Sequence, residues 1–535
     1  MQKEKIGFLE AVSIGIGGMI GGGIFAVLGL TILLARGAAP IAFLFAGLLA
    51  LATAYSYAKL SVRFPSEGGT IEFIVRAFGN GTIPAWLNTL LLASYIIMLS
   101  LYSYAFGSYG AVLIKGVEDP LFKKILTAGV IAFFTFLNLL GAYVVGKAED
   151  LMVAFKVSVL LFFSFLGFIT FDPSKLDPAE YPSLFHILTG GFIIFLAYEG
   201  FELIANTAQD VKDPEKVLPR AFYASVIFVI FIYCLVALVA VGNLDYKEVL
   251  KAQDYVLAEA AKPFLGRLGF VIISVAALVS TASAINATLY GTARISYLVA
   301  KYGELPKIFT RRVWKGAYEG LVILAALTIL AALSFDLENI SVAGSLGFLF
   351  IFAAVNLANF KLAEYTRGSR LLSFIGFLGC LGAVIVLVGH QLKTAPQALR
   401  SASVVFVTTL VFEVFYRTIT KRRLAKFIDW KLREKEEFLD NFEYYLQQVT
   451  EIIKKQLAEA EIYLLGELAY GERKPARELH VAVVTSQKLT PEEEKAHINK
   501  VREKLNLKPH HPLHLSFYSQ DEKEKLRPKS PRRVV

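Results

Sequence analysis

Twelve long apolar stretches fill most of the first 420 residues of this 535-residue chain and constrain its fold more than any other feature. A bilayer core about 30 Å thick is crossed by a helix of about 20 mainly apolar residues. The stretches are roughly 7–35, 39–61, 84–112, 124–143, 151–170, 186–206, 221–242, 267–291, 319–333, 340–360, 371–391 and 401–420. The sequence therefore predicts an all-α membrane protein with 12 transmembrane helices, which we call the first to twelfth spans.

Composition and charge agree with a lipid environment. Hydrophobic residues make up 55% of the chain, charged residues only 19%, and the mean hydropathy is +0.55. The net charge of +10 does not point to nucleic acid, because the basic residues concentrate in alternate loops. The densest group is Arg294, Lys301, Lys307, Arg311, Arg312 and Lys315, between the eighth and ninth spans. This asymmetry predicts a multi-pass protein of the cell membrane with both termini in the cytoplasm.

The composition changes at about residue 421, where Lys and Glu become frequent and apolar stretches become short. We predict a transmembrane domain over 1–420, a connecting cytosolic helix over 421–460 and a small α/β domain over 461–535. Within the last, strand-like runs begin at Ile462 and Glu478, a helix covers about 491–505, and LHLSFYS forms a final strand.

The first span contains five glycines within seven residues, in the segment GGMIGGGIF from Gly17 to Phe25. Each glycine weakens a helix by about 0.5–1 kcal/mol relative to alanine, so the segment predicts a break near the middle of the membrane. Irregular backbone at that depth is tolerated only where it is buried in protein or lines a cavity. The GxxxG spacing also suits close helix packing, which is the competing interpretation.

A second interruption lies in the sixth span, at AYEGFE from Ala197 to Glu202, where two carboxylates flank a glycine. The sixth span is the first of a second set of five. Interrupted helices at corresponding positions of two repeats indicate the substrate site of an inverted-repeat secondary transporter. The two breaks together therefore favour function over packing.

Three ordered motifs resemble the amino acid–polyamine–organocation (APC) superfamily. They are GGMIGGGIF in the first span, FLAYEGFELIANTAQDVKDPEKVLPRA from Phe195 to Ala221, and INATLYGTARISYLVAKYGELP from Ile285 to Pro306. The resemblance covers roughly residues 5–420. It implies a five-plus-five inverted repeat with two additional C-terminal helices, and exchange or import of small organic solutes.

The chemistry of the two breaks suits a molecule that carries both charges of an α-amino acid. The N–H groups of Gly22, Gly23 and Ile24 would begin a half-helix, whose positive end suits a carboxylate. On the other side, freed carbonyls suit an ammonium group, and they are those of Leu196, Ala197 and Glu199 and those near Met19 and Ile20. The predicted substrate-binding residues, which the resemblance also implies, are Met19, Ile20, Gly21, Gly22, Gly23, Ile24, Leu196, Ala197 and Glu199. The gate or pocket candidates are Phe195, Tyr198, Phe201 and Glu202.

Lys156 is a lysine within the fifth span. Intramembrane lysines are costly and are usually functional or paired. Its position resembles that of a lysine which, in sodium-independent relatives, replaces a structural sodium ion. That resemblance implies contacts to carbonyls near Gly17 and to hydroxyl groups of Ser280 and Ser283, and a role in proton coupling. The alternative is a lysine that extends to the membrane surface.

Glu199 departs from the superfamily pattern, because many relatives have an apolar residue there. It could receive a cationic side chain, a polyamine or K⁺, or it could stay protonated and cap the broken helix. Glu202 matches the acidic position of the motif and is expected to be structural or to take part in gating.

The C-terminal segment resembles a minimal nucleotidyltransferase, with GELAYGE and ELHVAVV at the positions of its serine-containing loop and paired aspartates. Glu467, Glu478 and His480 replace the expected residues, which argues against catalysis. We expect a regulatory or ligand-sensing module, or a unit that simply packs beneath the transporter. The cytosolic domain is also a candidate route to a homo-oligomer. His510, His511 and His514 could bind a metal, but no second ligand cluster accompanies them, so no metal or cofactor is predicted.

The leading hypothesis is a secondary active transporter of amino acids, proton-coupled and sodium-independent. A cation or polyamine permease, with K⁺ among its candidate substrates, is the first alternative, and a membrane sensor that signals through the cytosolic domain is the second. No metal cluster or nucleophile–base motif marks the membrane domain as an enzyme. The chain has no Gly-rich loop ending in GK[ST], the motif that would indicate direct use of ATP.

Overall fold

The computed structural model describes residues 5–79, 81–140, 147–301, 303–311, 319–420, 442–465, 469, 479–505, 513–529 and 532–534. The chain divides into two compact units, Met1–Leu424 and Ala425–Val535. Each unit has its own hydrophobic core.

The first unit is predominantly helical in its described residues. Its α-helices are α1 (Phe8–Met19), α2 (Gly22–Ala35), α3 (Ala39–Arg63), α4 (Thr70–Phe78), α5 (Thr82–Lys115), α6 (Pro120–Leu139), α7 (Lys147–Gly167), α8 (Leu184–Ile194), α9 (Leu203–Asn206), α10 (Pro214–Asn243), α11 (Tyr246–Lys251), α12 (Val256–Ala260), α13 (Lys262–Lys301), α14 (Glu319–Ser334), α15 (Leu337–Lys361), α16 (Ala363–Thr366), α17 (Arg370–Thr394) and α18 (Pro396–Ile419). A 3₁₀ helix, Phe195–Glu202, joins α8 to α9.

Each of the twelve predicted stretches coincides with one of these helices or with a consecutive group of them. By length and composition, nine helical segments of the described chain are able to cross a membrane. Three shorter apolar helices accompany them, Phe8–Met19, Leu151–Gly167 and Gly320–Ser334. The protein is therefore a multi-pass membrane protein, and the count of twelve crossings stays a prediction.

Burial separates the inner helices from those at the periphery. Most of the apolar part of α5, of α15 and of the segment from α8 to α9 is buried within the protein. In α6 and α18 most of the apolar part is not buried within the protein, as expected of helices that face lipid. The two predicted breaks, in the first and sixth spans, thus both lie in buried backbone.

The second unit contains an α/β fold. A helix, α19 (Phe442–Lys454), precedes the strands β1 (Glu461–Leu465) and β2 (Leu479–Thr485), then α20 (Pro491–Lys504), β3 (Leu513–Ser519), a 3₁₀ segment (Gln520–Lys529) and β4 (Arg532–Arg533). The sheet order is β3-β2-β1-β4. β1 pairs with β2 antiparallel, whereas β2 pairs with β3 in parallel across the α20 crossover.

These elements occupy the positions of the predicted strands and helix, and α19 lies within the predicted connecting helix. The remainder of that helix, over 421–441, lies outside the described residues, as do Glu467, Glu478, His510 and His511. His514 pairs in register with His480 across β2 and β3, with ring centroids 4.2 Å apart. In the part of the chain that the structure describes, no group of three potential metal ligands forms.

Candidate substrate site at the broken first helix

The first span is broken at two residues. α1 ends at Met19 and α2 begins at Gly22, so Ile20 and Gly21 belong to neither helix. The amide of Ile20 donates to the Ile16 carbonyl, and that of Gly21 donates to the Met19 carbonyl at 2.8 Å. Both residues are buried. The predicted break is therefore present within the protein interior.

The residues predicted to bind a carboxylate form the first turn of α2. Gly22, Gly23 and Ile24 hold its first three positions, and the first N–H groups of a helix have no acceptor within it. The partial positive charge of the helix end lies at the same place. This turn can therefore receive an anionic group.

Close packing explains why glycine is needed here. A Cβ atom on Gly22 would lie 2.5 Å from Cδ1 of Tyr102, on α5, and one on Gly23 would lie 2.7 Å from Cβ of Ala197. The packing interpretation and the break are thus both correct: the same glycines interrupt the helix and let its neighbours approach the interruption.

The sixth span narrows into the 3₁₀ helix Phe195–Glu202 rather than unwinding. This differs from the expectation of freely exposed carbonyls, because a 3₁₀ helix bonds each carbonyl to the N–H three residues on. A close backbone contact lies within this segment. A Cβ on Gly18 would lie 2.7 Å from the Gly200 carbonyl oxygen, and a Cβ on Gly200 would overlap the backbone of Gly18 and Met19. The two interrupted helices therefore cross at a pair of glycines.

Tyr233, on α10, connects the two interruptions. Its hydroxyl donates to the Met19 carbonyl at 2.5 Å and also lies 3.3 Å from the Ala197 carbonyl. Both carbonyls were predicted to receive the substrate ammonium group. In this conformation a hydroxyl donor occupies the position that the prediction gives to that ammonium.

The eighth span also contacts the break in the first span. The Ser280 hydroxyl, on α13, lies 3.2 Å from the carbonyl oxygens of both Ile20 and Gly21. Lys156 is 1% exposed, and its Nζ lies 3.4 Å from the Gly17 carbonyl oxygen. The predicted contact of Lys156 with Gly17 is present, and Lys156 does not extend to the surface. Ser283 is half-buried, three residues after Ser280.

Two carboxylates lie within the 3₁₀ segment in different surroundings. Glu202 accepts hydrogen bonds from the hydroxyls of Tyr57 and Thr70, at 3.0 Å each, and from that of Tyr95. Glu199 is 4% exposed, and its Oε2 atom has no hydrogen-bond partner among the described residues. Glu202 is therefore held by hydroxyl groups, whereas Glu199 has unused acceptor capacity.

The aromatic candidates of the sixth span pack against other rings. Phe195 and Phe201 contact Phe352 with centroid distances of 5.8 and 5.3 Å. The Tyr198 hydroxyl donates to the Phe43 carbonyl at 3.0 Å, and its ring packs on Tyr233. These contacts give all three residues a packing role in this conformation and leave their predicted gate or pocket role as a prediction.

Comparison with known proteins identifies the family. The family model described as amino acid permease matches residues 6–414. The chain belongs to the amino acid permease family. The family and two of the relatives below are transporters by name, so this protein is a membrane transporter and not an enzyme.

Three relatives illustrate the range of the family. An uncharacterized protein of Methanocaldococcus jannaschii is 39% identical over 426 residues, which cover 79% of this chain and 98% of the relative. An inner membrane transport protein of Escherichia coli is 32% identical over 420 residues, covering 78% and 97%. A chloroplastic cationic amino acid transporter of Arabidopsis thaliana is 29% identical over 329 residues, covering 58% and 57%.

The similarity to the family and to these relatives does not extend over the whole chain. Nearly the whole length of the first two relatives aligns with about four-fifths of this chain. The family match ends at residue 414, before the second unit begins at Ala425. The α/β unit is thus additional to the part shared with these permeases.

Tyr233 is the residue of this permease that the sequence prediction omitted. A sequence signal for it existed, because a tyrosine within an apolar span needs an acceptor for its hydroxyl when it is buried. Tyr233→Phe is expected to slow transport about tenfold, because a buried hydrogen bond contributes about 1 kcal/mol and here two helices share it. Transport rate in proteoliposomes and thermal stability would be measured together.

Tyr416→Phe is the matched control for that experiment. It also removes one tyrosine hydroxyl that donates to a backbone carbonyl, that of Leu305 at 3.0 Å, but it does so on the twelfth span, away from the broken helices. We expect it to lose stability without a comparable loss of rate. Equal rates for Tyr233→Phe and the unmodified protein would contradict a role for the bridge.

Proposed function

We propose that this protein is a secondary active transporter that moves amino acids by alternating access, coupled to protons and independent of sodium. The observation that carries the proposal is the break at Ile20 and Gly21, where the first turn of α2 packs on Ala197 and one hydroxyl reaches carbonyls of both the first and the sixth spans. An α-amino acid presents a carboxylate and an ammonium group a bond or two apart. The amides suit the first group and the carbonyls suit the second.

The membrane domain is proposed to have twelve crossings in a five-plus-five inverted repeat, with two further helices and both termini in the cytoplasm. The support is the position of the interruptions, one in the first span and one in the sixth. The α/β unit is proposed to be a regulatory or ligand-sensing module on the cytoplasmic side of the cell membrane.

Contacts on both faces of the first unit suit an occluded intermediate of such a cycle. On the face where α2 ends, Lys123 and Asp254 form an ion pair at 2.5 Å, and Gly29 packs directly on the Gln253 backbone. On the opposite face Arg294 pairs with Glu67. Alternating access would require one of these closures to open while the other holds.

A cation or polyamine permease is the second candidate, and Glu199 is the observation that favours it. An unpartnered buried carboxylate oxygen is costly unless a cation or a proton satisfies it. The cationic amino acid transporter among the relatives is consistent with such a substrate.

Glu199→Gln distinguishes the candidates. If Glu199 receives a cationic group, the substitution should lower transport of cationic substrates by about 10- to 100-fold, since a hydrogen bond to a charged group contributes about 1.5–3 kcal/mol. Neutral amino acids should be nearly unaffected. The measurement is a counterflow screen of amino acids, polyamines and K⁺ in proteoliposomes across a pH gradient.

Glu202→Gln serves as the control, because its carboxylate is already bound by three hydroxyl groups. It should lower stability without changing the ratio of cationic to neutral transport. An unchanged substrate profile and rate for Glu199→Gln would show that this carboxylate takes no part in recognition. Binding without flux for every substrate would instead favour the sensor hypothesis.

A further inference from the structure

An apolar crevice lies at the periphery of the first unit, away from the broken helices. It has a volume of about 360 Å³ and is enclosed by α5, α14, α18 and the segment that follows α13. Residues that line it include Leu92, Ile96, Leu327, Ala331, Val405 and Phe412. Leu327 is 45% exposed, and most of α18 is unburied, so the crevice opens toward the lipid.

One end of the crevice is formed by a short amphipathic segment. Leu305, Pro306 and Phe309 line the crevice, and a 3₁₀ turn covers Lys307–Thr310. Residues three apart share a face of a 3₁₀ helix, so Pro306 and Phe309 lie together on the crevice side. Lys307, between them in the chain, is exposed, and so is Arg311, two residues beyond Phe309. The apolar crevice therefore ends beside two exposed basic residues.

We propose that this crevice holds an acyl chain of one anionic phospholipid, whose phosphate group binds Lys307 and Arg311. The acyl chain of a lipid gives no preference for one lipid over another, because lipid tails in the bilayer are as apolar as the crevice. Selection must come from charge, and basic residues at the membrane surface attract anionic headgroups. The crevice would therefore hold the acyl chain of the lipid, and the two basic residues beside it would bind the anionic headgroup of the same molecule.

This inference is independent of the transported substrate. The crevice borders α5, which also carries Tyr102, so the bound lipid would contact one helix that packs against the break in the first span. Lipid binding can nevertheless be measured on the purified full-length chain without any transport assay.

The test titrates the detergent-purified protein with dioleoylphosphatidylglycerol and, separately, with dioleoylphosphatidylcholine, and counts bound lipids by native mass spectrometry. We expect one phosphatidylglycerol to bind preferentially. The double variant Lys307→Gln and Arg311→Gln should lower that affinity about 30-fold, equivalent to about 2 kcal/mol, and leave phosphatidylcholine binding unchanged.

Two further variants make the test specific. Lys216→Gln with Arg220→Gln removes the same charge from exposed residues of α10 and should change phosphatidylglycerol affinity less than twofold. Ala331→Phe narrows the crevice and should weaken binding of both lipids, with thermal melting used to confirm that each variant is folded. Equal affinity for the two lipids, or an equal loss in the α10 control, would overturn the proposal. So would unchanged lipid binding in Ala331→Phe accompanied by loss of a dimer, which would make the crevice an interface between two copies.

Discussion

Gly200→Ala is expected to reduce transport by about 10- to 100-fold while the protein still inserts into the membrane. The added Cβ would overlap the backbone of Gly18 and Met19, and backbone atoms cannot rotate away as a side chain can. The overlap can be relieved only if the first and sixth spans move apart at the break itself. Overpacking of this kind costs about 1–3 kcal/mol. If that cost destabilises the conformation that transports substrate, it corresponds to the expected loss of transport rate.

Gly291→Ala provides the matched control for that change. Gly291 lies within α13, and a Cβ there would meet no atom within 4 Å. Alanine in a helix is more favourable than glycine by about 0.5–1 kcal/mol, so this variant should keep its transport rate and melt slightly higher. The two substitutions are chemically identical, so any common effect would reflect the loss of a glycine in general. A Gly200→Ala protein with an unchanged rate would show that the helix crossing need not be this close.

The parts of the site that were predictable from sequence are those with a local cause. Five glycines in seven residues weaken a helix wherever it lies, and the break at Ile20 and Gly21 follows. The need of Lys156 for a polar partner was predictable in the same way, because it lies in an apolar span, whereas the Gly17 carbonyl as that partner was implied only by the resemblance. The α/β elements after Ala460 also follow from local alternation and turn residues.

The parts that were missed depend on contacts between distant residues. The sixth span forms a 3₁₀ helix where Gly200 contacts Gly18, and neither sequence segment by itself shows that these two glycines lie close together. The bridge from Tyr233 to the Met19 and Ala197 carbonyls joins three spans. Likewise, the different surroundings of Glu199 and Glu202 arise from tyrosines on α3 and α5, which the motif itself does not include.

Lys156→Ala is expected to abolish the pH dependence of uptake, with at least about a tenfold loss of transport driven by an inward proton gradient. Lys156 is buried, and its ammonium group lies beside the Gly17 carbonyl, one turn before the break. A proton released or bound there would change the charge next to the α1 end of the substrate site. The measurement compares initial uptake into proteoliposomes at acidic and alkaline external pH, with and without a sodium gradient.

Lys156→Arg separates proton exchange from a purely structural charge. Arginine keeps the positive charge but does not give up its proton, so a coupling lysine predicts that Arg, like Ala, eliminates the pH response. If the lysine is only structural, the Arg variant should preserve transport and its pH profile, provided that thermal melting shows the variant to be folded.

Exchange of labelled external substrate for unlabelled substrate loaded inside the proteoliposomes needs no net proton movement. We therefore expect Lys156→Ala to retain a larger fraction of its exchange rate than of its uptake rate. If Lys156→Ala instead transported with the normal pH profile, proton coupling through this lysine would be wrong, while substrate binding at the Gly22–Ile24 turn would be left intact.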